Sequence, residues 1–177
     1  YQPLPDGAVR VTLKLPGVPG MGPVPSVGLS MRLPKAFHRV KWYGLGPEEN
    51  YIDRLHGARL GVYETTSEAN LTRYIVPQEC GNRAGVRWMN VTNEEGEGLR
   101  IEMDGAPLEV TVLPYTASEL ASAMHPDELP PVSYTVVDVA MKRMGVGGDD
   151  GWGARTHPEF TISGDEAHAF SFILRAI

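Results

Sequence analysis

The chain has 177 residues, a formal net charge of −6 and a pI near 5.4, a balance that excludes nucleic acid or an anionic membrane as its main partner. No apolar run approaches the roughly 18 residues of a membrane span, and one cysteine, Cys80, leaves no intrachain disulfide and favours a reducing, cytoplasmic setting. Twenty glycines and fifteen prolines exclude a helix-rich architecture, while a chain of this length buries about 70% of its unfolded surface without a staple. The first residues, Tyr-Gln-Pro-Leu-Pro, have no initiator Met, basic flank or apolar h-region. No signal peptide is read there, and the chain reads as a piece of something longer.

Taken in order, Val9, Val11, Leu13 and Leu15 alternate with Arg10, Thr12 and Lys14, which predicts a half-buried strand. A Pro/Gly-rich link leads to a second alternating run, Val27, Leu29, Met31 and Leu33. Two polar stretches follow, WYGLGPEENYIDR (Trp42–Arg54) and PQECGNRAGVRWMN (Pro77–Asn90). Their glycines, carboxylates, arginines and aromatics read as ion-paired, hydrogen-bonded corners between strands. The acidic run NEEGEG (Asn93–Gly98) reads as a solvated hairpin turn. Leu99–Met103 and Leu108–Val112 are strands, and the DGAP between them predicts a hairpin. A short helix is expected from Ala117 to about Met124, since Thr116 and Glu119 have capping-box spacing and HPDELPP would stop it. Tyr134–Val139, Phe160–Ile162 and Phe170–Leu174 complete the expected strands. About ten short strands and one short helix predict an all-β, antiparallel sandwich.

Between the last strands lies MGVGGDDGWG (Met144–Gly153), where a glycine loop ends on a tryptophan without periodic apolar partners. As a phosphate cradle it lacks a Lys and places Asp149 and Asp150 where the anion would sit. As a calcium loop it matches no EF-hand spacing. Adjacent aspartates do not span the 5–10 Å that separates the carboxyl pair of a glycosidase. Turn-forming aspartates are the simpler reading. The histidines, His38, His56, His125, His157 and His168, lack the close spacing of metal ligands, and nothing local pairs Cys80 with a His as a nucleophile.

Together and in this order, three motifs resemble the C-terminal domain of bacterial β-galactosidases of glycoside hydrolase family two. They are Trp42 with Gly44–Arg54 (Gly-Leu-Gly-Pro-x-Glu-Asn-Tyr-x-Asp-Arg), Pro77–Arg83 (Pro-x-Glu-Asn-Gly-x-Arg) and Gly145–Trp152 (Gly-x-Gly-Gly-Asp-Asp-x-Trp). The likeness runs from about Asp6 to Ile177. Cys80 departs from it, standing where the family has Asn and removing whatever hydrogen bonds that side chain would supply around Glu79–Arg83.

The resemblance implies the C-terminal part of a supersandwich shared with galactose mutarotases, spanning 1–177 and beginning upstream of Tyr1. It further implies that catalysis, with the acid/base and nucleophile glutamates and the magnesium and sodium sites, belongs to a (β/α)8 barrel outside this chain. No catalytic residue, metal or cofactor is then expected here. Trp152 is the one residue that carries over, as a contact to the substrate sugar at the barrel mouth. The implied partners are a terminal β-D-galactoside such as lactose and the barrel of the same enzyme or of a partner subunit. The parent is expected to be a cytoplasmic homo-oligomer. Two rival readings are a free-standing carbohydrate-binding module stacking sugars on Trp152 and Trp42, and an aldose-epimerase-like enzyme, for which His157 is the one histidine near the loop.

Overall fold

A computed structural model describes residues 1–177. Eleven strands are present: β1 (Gln2–Pro3), β2 (Val9–Leu15), β3 (Ser26–Pro34), β4 (Arg39–Gly46), β5 (Arg59–Thr66), β6 (Asn82–Val86), β7 (Trp88–Thr92), β8 (Gly98–Met103), β9 (Leu108–Leu113), β10 (Tyr134–Arg143) and β11 (His168–Ala176). One helix, α1 (Ala117–Ser122), lies between β9 and β10. The strands form an antiparallel sandwich of a seven-stranded sheet, β1-β2-β11-β8-β7-β4-β5, and a four-stranded sheet, β3-β10-β9-β6. The last strand thus sits between β2 and β8, with Phe172 opposite Val11 on one side and Met103 on the other.

The period-2 alternation explains the core. Val11, Val40, Trp42, Met89, Ile101 and Phe172 face inward from the larger sheet against Val86, Leu108, Val110, Val112, Val137 and Val139 of the smaller one. The two polar stretches are corners only in part, because β4, β6 and β7 run through them. Their strand glycines, which read as loop signals, have packing reasons. A Cβ at Gly46 would lie 2.7 Å from the Tyr63 ring, and one at Gly44 would lie 3.0 Å from Val86 Cα. The unforeseen β5 carries Leu60 and Val62 outward, exposed, while Tyr63 packs on Trp42 with ring centroids 5.4 Å apart.

Three further expectations need correction. The segment after Met103 is no hairpin: β8 pairs with β7 and β11, whereas β9 pairs with β6 and β10 in the opposite sheet. Every residue of β9 is buried, so it belongs in the smaller sheet, and Pro107 has no N–H to continue a ladder. Phe160–Ile162 is not a strand. Pro158–Phe160 forms a 3₁₀ turn with Pro at its start, and Ile162 merely accepts a hydrogen bond from Val24 N at 2.9 Å. Finally, α1 has the full capping box but ends at Ser122. Glu128 captures the Met124 amide at 2.8 Å and leaves Met124 exposed. The Asn93–Gly98 turn closes β7 onto β8 as expected, with Asn93 N donating to Glu97 O at 2.9 Å.

β3 pairs only with β10 and β5 only with β4, leaving open ladders beside exposed Leu60 and Val62. Such edges template pairing with another chain. We expect concentration-dependent self-association in light scattering, reduced by Val62→Lys; a stable monomer at high concentration would contradict this.

Candidate functional site

The three motifs meet. At the end of β4 the chain turns through Glu48–Arg54, and the Glu49 carboxylate collects four donors. Thr72 Oγ1 and Gly81 N donate to Oε2 at 2.7 and 2.6 Å, while Tyr74 OH and Arg54 Nη2 donate to Oε1 at 2.6 Å each. Burial alone would raise this carboxyl, but these hydrogen bonds and the Arg54 charge outweigh it and hold Glu49 below the usual range. Asn50 binds the second motif, its Oδ1 accepting from Ala84 N at 2.9 Å and its carbonyl from Asn82 Nδ2 at 2.9 Å.

Cys80 is buried in a small apolar cluster with Leu113 and Leu120. Burial pushes its thiol up to about 11, which makes it an inert packing residue. The amide beside it, Gly81 N, is already satisfied by Glu49.

Glu79 of the second motif joins the first motif to the end of β10. Its Oε1 accepts from Tyr51 OH at 3.1 Å and from Arg143 Nη1 at 3.2 Å. Arg143, buried at the end of β10, also lies 3.5 Å from Asp138 Oδ2, and its Nε has no partner. Burial, followed by the charges of Glu79 and Glu49, drives the Tyr51 phenol far above its ordinary pKa, so it acts only as a hydrogen-bond donor.

Asp53 ties the first motif to the glycine loop. Gly147 N donates to its Oδ2 at 2.8 Å, and a Cβ at Gly145 would come within 2.7 Å of the same carboxylate. The other oxygen, Oδ1, is buried without a partner. Past this anchor the loop folds on itself: Asp150 Oδ1 accepts from Trp152 N at 2.7 Å and Ala154 N at 3.3 Å. Gly153 takes a positive φ of 103°, a conformation that favours glycine. Asp150 is thus the turn residue that its type predicts, and Asp149 pairs with His157 at 2.8 Å. The hydrogen bond to Asp149, then its charge and that of Glu159, raises the His157 pKa above 6.5.

A group whose folded pKa is raised contributes its tether fully below the unfolded value and loses it as pH rises through the folded one. The His157 tether should therefore be strongest in acid, and Asp149→Asn should return the NMR-titrated pKa of His157 towards 6.5. An unchanged value in that variant would refute the pairing.

Trp152 is 95% exposed. Two clefts flank the stem of its loop, one of about 470 Å³ and one of about 630 Å³, sharing Met144 and Val146; neither includes Trp152 or His157. Trp42 is no stacking platform. It is fully buried, donates to Leu45 O at 3.0 Å and lies beneath the Arg83 guanidinium, 4.9 Å from its ring centroid. No three His, Cys, Asp or Glu side chains gather where they could hold a metal ion. The anchoring role of Asp53 and the Tyr51–Glu79–Arg143 bridge were not foreseen from the sequence. The carboxylates and aromatics crowded into Trp42–Arg54 were the available signal for the first; Arg143 looked like the end of an ordinary strand.

The chain matches the family described as the β-galactosidase small chain over residues 1–174. It is 43% identical over 180 residues to a β-galactosidase of Halalkalibacterium halodurans, a match that takes in all of this chain and 18% of the relative. A β-galactosidase of Lactobacillus delbrueckii subsp. bulgaricus is 40% identical over 171 residues, 97% of this chain and 17% of the relative. One of Priestia megaterium is 38% identical over 173 residues, 97% of this chain and 16% of the relative. The chain thus spans less than a fifth of these relatives' length. With its three motifs stitched into one corner of a β-sandwich and the family match running almost end to end, the chain belongs to the β-galactosidase small-chain family.

Proposed function

We propose that this chain is the non-catalytic C-terminal sandwich domain of a β-galactosidase of glycoside hydrolase family two, and that Trp152 completes the sugar site of a barrel on the same chain or a partner subunit. The observation that carries this reading is an indole 95% exposed at the tip of a loop whose stem is fixed to the sandwich by Asp53. A large aromatic held in water at the tip of an anchored loop is available as a contact surface, the use for which Trp is enriched at interfaces. A galactopyranose fits, since its C–H face stacks on an indole while its hydroxyls stay free for polar partners.

Bond cleavage belongs to the barrel. Retaining hydrolysis needs two carboxyl groups about 5–5.5 Å apart across the scissile bond. Here Asp149 is engaged by His157, Asp150 by loop amides and Glu79 by Tyr51 and Arg143. The magnesium and sodium sites are likewise assigned to the barrel, as the family resemblance implies. The substrate class is a terminal β-D-galactoside such as lactose, and the parent is a cytoplasmic homo-oligomer.

The purified chain should hydrolyse no chromogenic galactoside, whereas a full-length control should. Turnover above background that survives repurification would overturn the assignment.

A further inference from the structure

We propose that the cleft between β3, β10 and the Gln78–Glu79 segment is a binding site for a neutral hexose, separate from Trp152. It lies on the outer face of the four-stranded sheet. Val137 and Val139 point into the sandwich core, so Asp138 and Ala140 point the opposite way. Asp138 stands opposite Ser30 and Ala140 opposite Gly28. The depression has a steric cause: a Cβ at Gly28 would come within 2.9 Å of Ala140 Cβ and 2.7 Å of Val139 O. The sheet therefore carries almost no side chain at this floor, and Tyr51, Glu79 and the Met144–Val146 stem form walls around it. The resulting space of about 470 Å³ falls within the ~300–1,000 Å³ usual for small-molecule sites.

The polar groups specify the ligand. Arg143 is buried, binds one oxygen each of Glu79 and Asp138, and retains an Nε–H without an acceptor. Tyr51 spends its proton on the same Glu79 oxygen that Arg143 uses. Glu79 Oε2 and Asp138 Oδ1 have no hydrogen-bond donor within the chain. Two free carboxylate oxygens accept from ligand hydroxyls, while the guanidinium offers donors beside them, an arrangement that suits a vicinal diol. Two carboxylates against one guanidinium leave the lining net negative, which disfavours sugar phosphates and uronates. Arg143, held at the centre, disfavours amines. Ala140 and Val146 supply an aliphatic wall for the ring's C–H face.

This inference does not depend on the role of Trp152, and the test separates the two. The amide spectrum of the 177-residue chain would be titrated with D-galactose, D-glucose and inorganic phosphate. Saturable shifts with at least one hexose are expected at Gly28, Ser30, Asp138 and Gly145. Trp152→Ala should leave the affinity unchanged. Asp138→Asn should weaken it by about ten-fold or more, as loss of a charge-assisted hydrogen bond would. Ser30→Phe, a change at an exposed position, should block binding while keeping the fold. Absence of saturable shifts with either hexose, tighter binding of phosphate, or shifts confined to Asp149–Gly153 and abolished by Trp152→Ala would each overturn it.

Discussion

Trp152→Ala in a full-length enzyme containing this chain is expected to raise KM by about 5- to 30-fold and to change kcat much less. A stacked indole meets the apolar face of the sugar, where little charge develops during cleavage, so its loss removes binding common to ground and transition states. Full burial of a large apolar side chain is worth about 1.5–3 kcal/mol. A platform covered on one face gives roughly 1–2 kcal/mol, and about 1.4 kcal/mol corresponds to a factor of ten. Trp152→Phe should recover part of the loss, because a smaller ring face remains. Thermal stability should not move, since the indole is 95% exposed and lies outside the core. KM, kcat and Tm with lactose check all of this; a lowered Tm with an unaltered KM would make Trp152 a structural residue.

Asp53→Ala should reproduce much of the Trp152 defect from a distance. Asp53 is a positioning residue: it touches the loop stem at Gly145 and Gly147 but lines neither cleft. Hydrogen bonds to charged acceptors contribute about 1.5–3 kcal/mol net, and the partly solvated setting here places the loss at about 1–2 kcal/mol. Exchange of the Gly147 amide should then accelerate by roughly 5- to 30-fold, and KM should rise as the loop samples more positions. Asp53→Asn is the discriminating control. Its amide oxygen can still accept from Gly147, so both exchange and KM should stay near the parent values. Equal defects in the two variants would mean that the negative charge of Asp53, not its reach to the loop, is what the site uses.

Much of the sandwich was legible because burial on one face imposes alternation. β2, β3, β8 and β11 each show it, and the capping box fixed the start of α1 to the residue. Partner choice was not legible. An alternating run announces a strand but not its neighbour, so the turn at Asp104–Pro107 resembled a hairpin although the chain changes sheets there. β4 and β6 were obscured by Gly44 and Gly46, whose reasons are ring and backbone contacts formed only after folding, and by Gly85, which takes a positive φ of 62°. The same limit applies to the site. Trp152 stood out because it lacked local apolar partners, whereas Asp53 acts on a residue 94 positions away. Nothing periodic marks such a contact, and the arginine that joins Glu79 to Asp138 sits in what reads as a plain strand terminus.

The position of β11 between β2 and β8 sets an order on the making of this protein. During synthesis β2 emerges before β8, and the strand that joins them follows both. Until Phe170–Leu174 arrives, β2 and β8 hold their hydrogen-bonding groups towards a gap, and the inner face of the larger sheet lacks Phe172. Closure therefore requires pairing between segments far apart in sequence, such as Val9 with Leu174, the kind of distant contact that slows folding and lengthens exposure to aggregation. A nascent chain that stops short of β11 presents a larger sheet split in two, a natural substrate for chaperones and proteases.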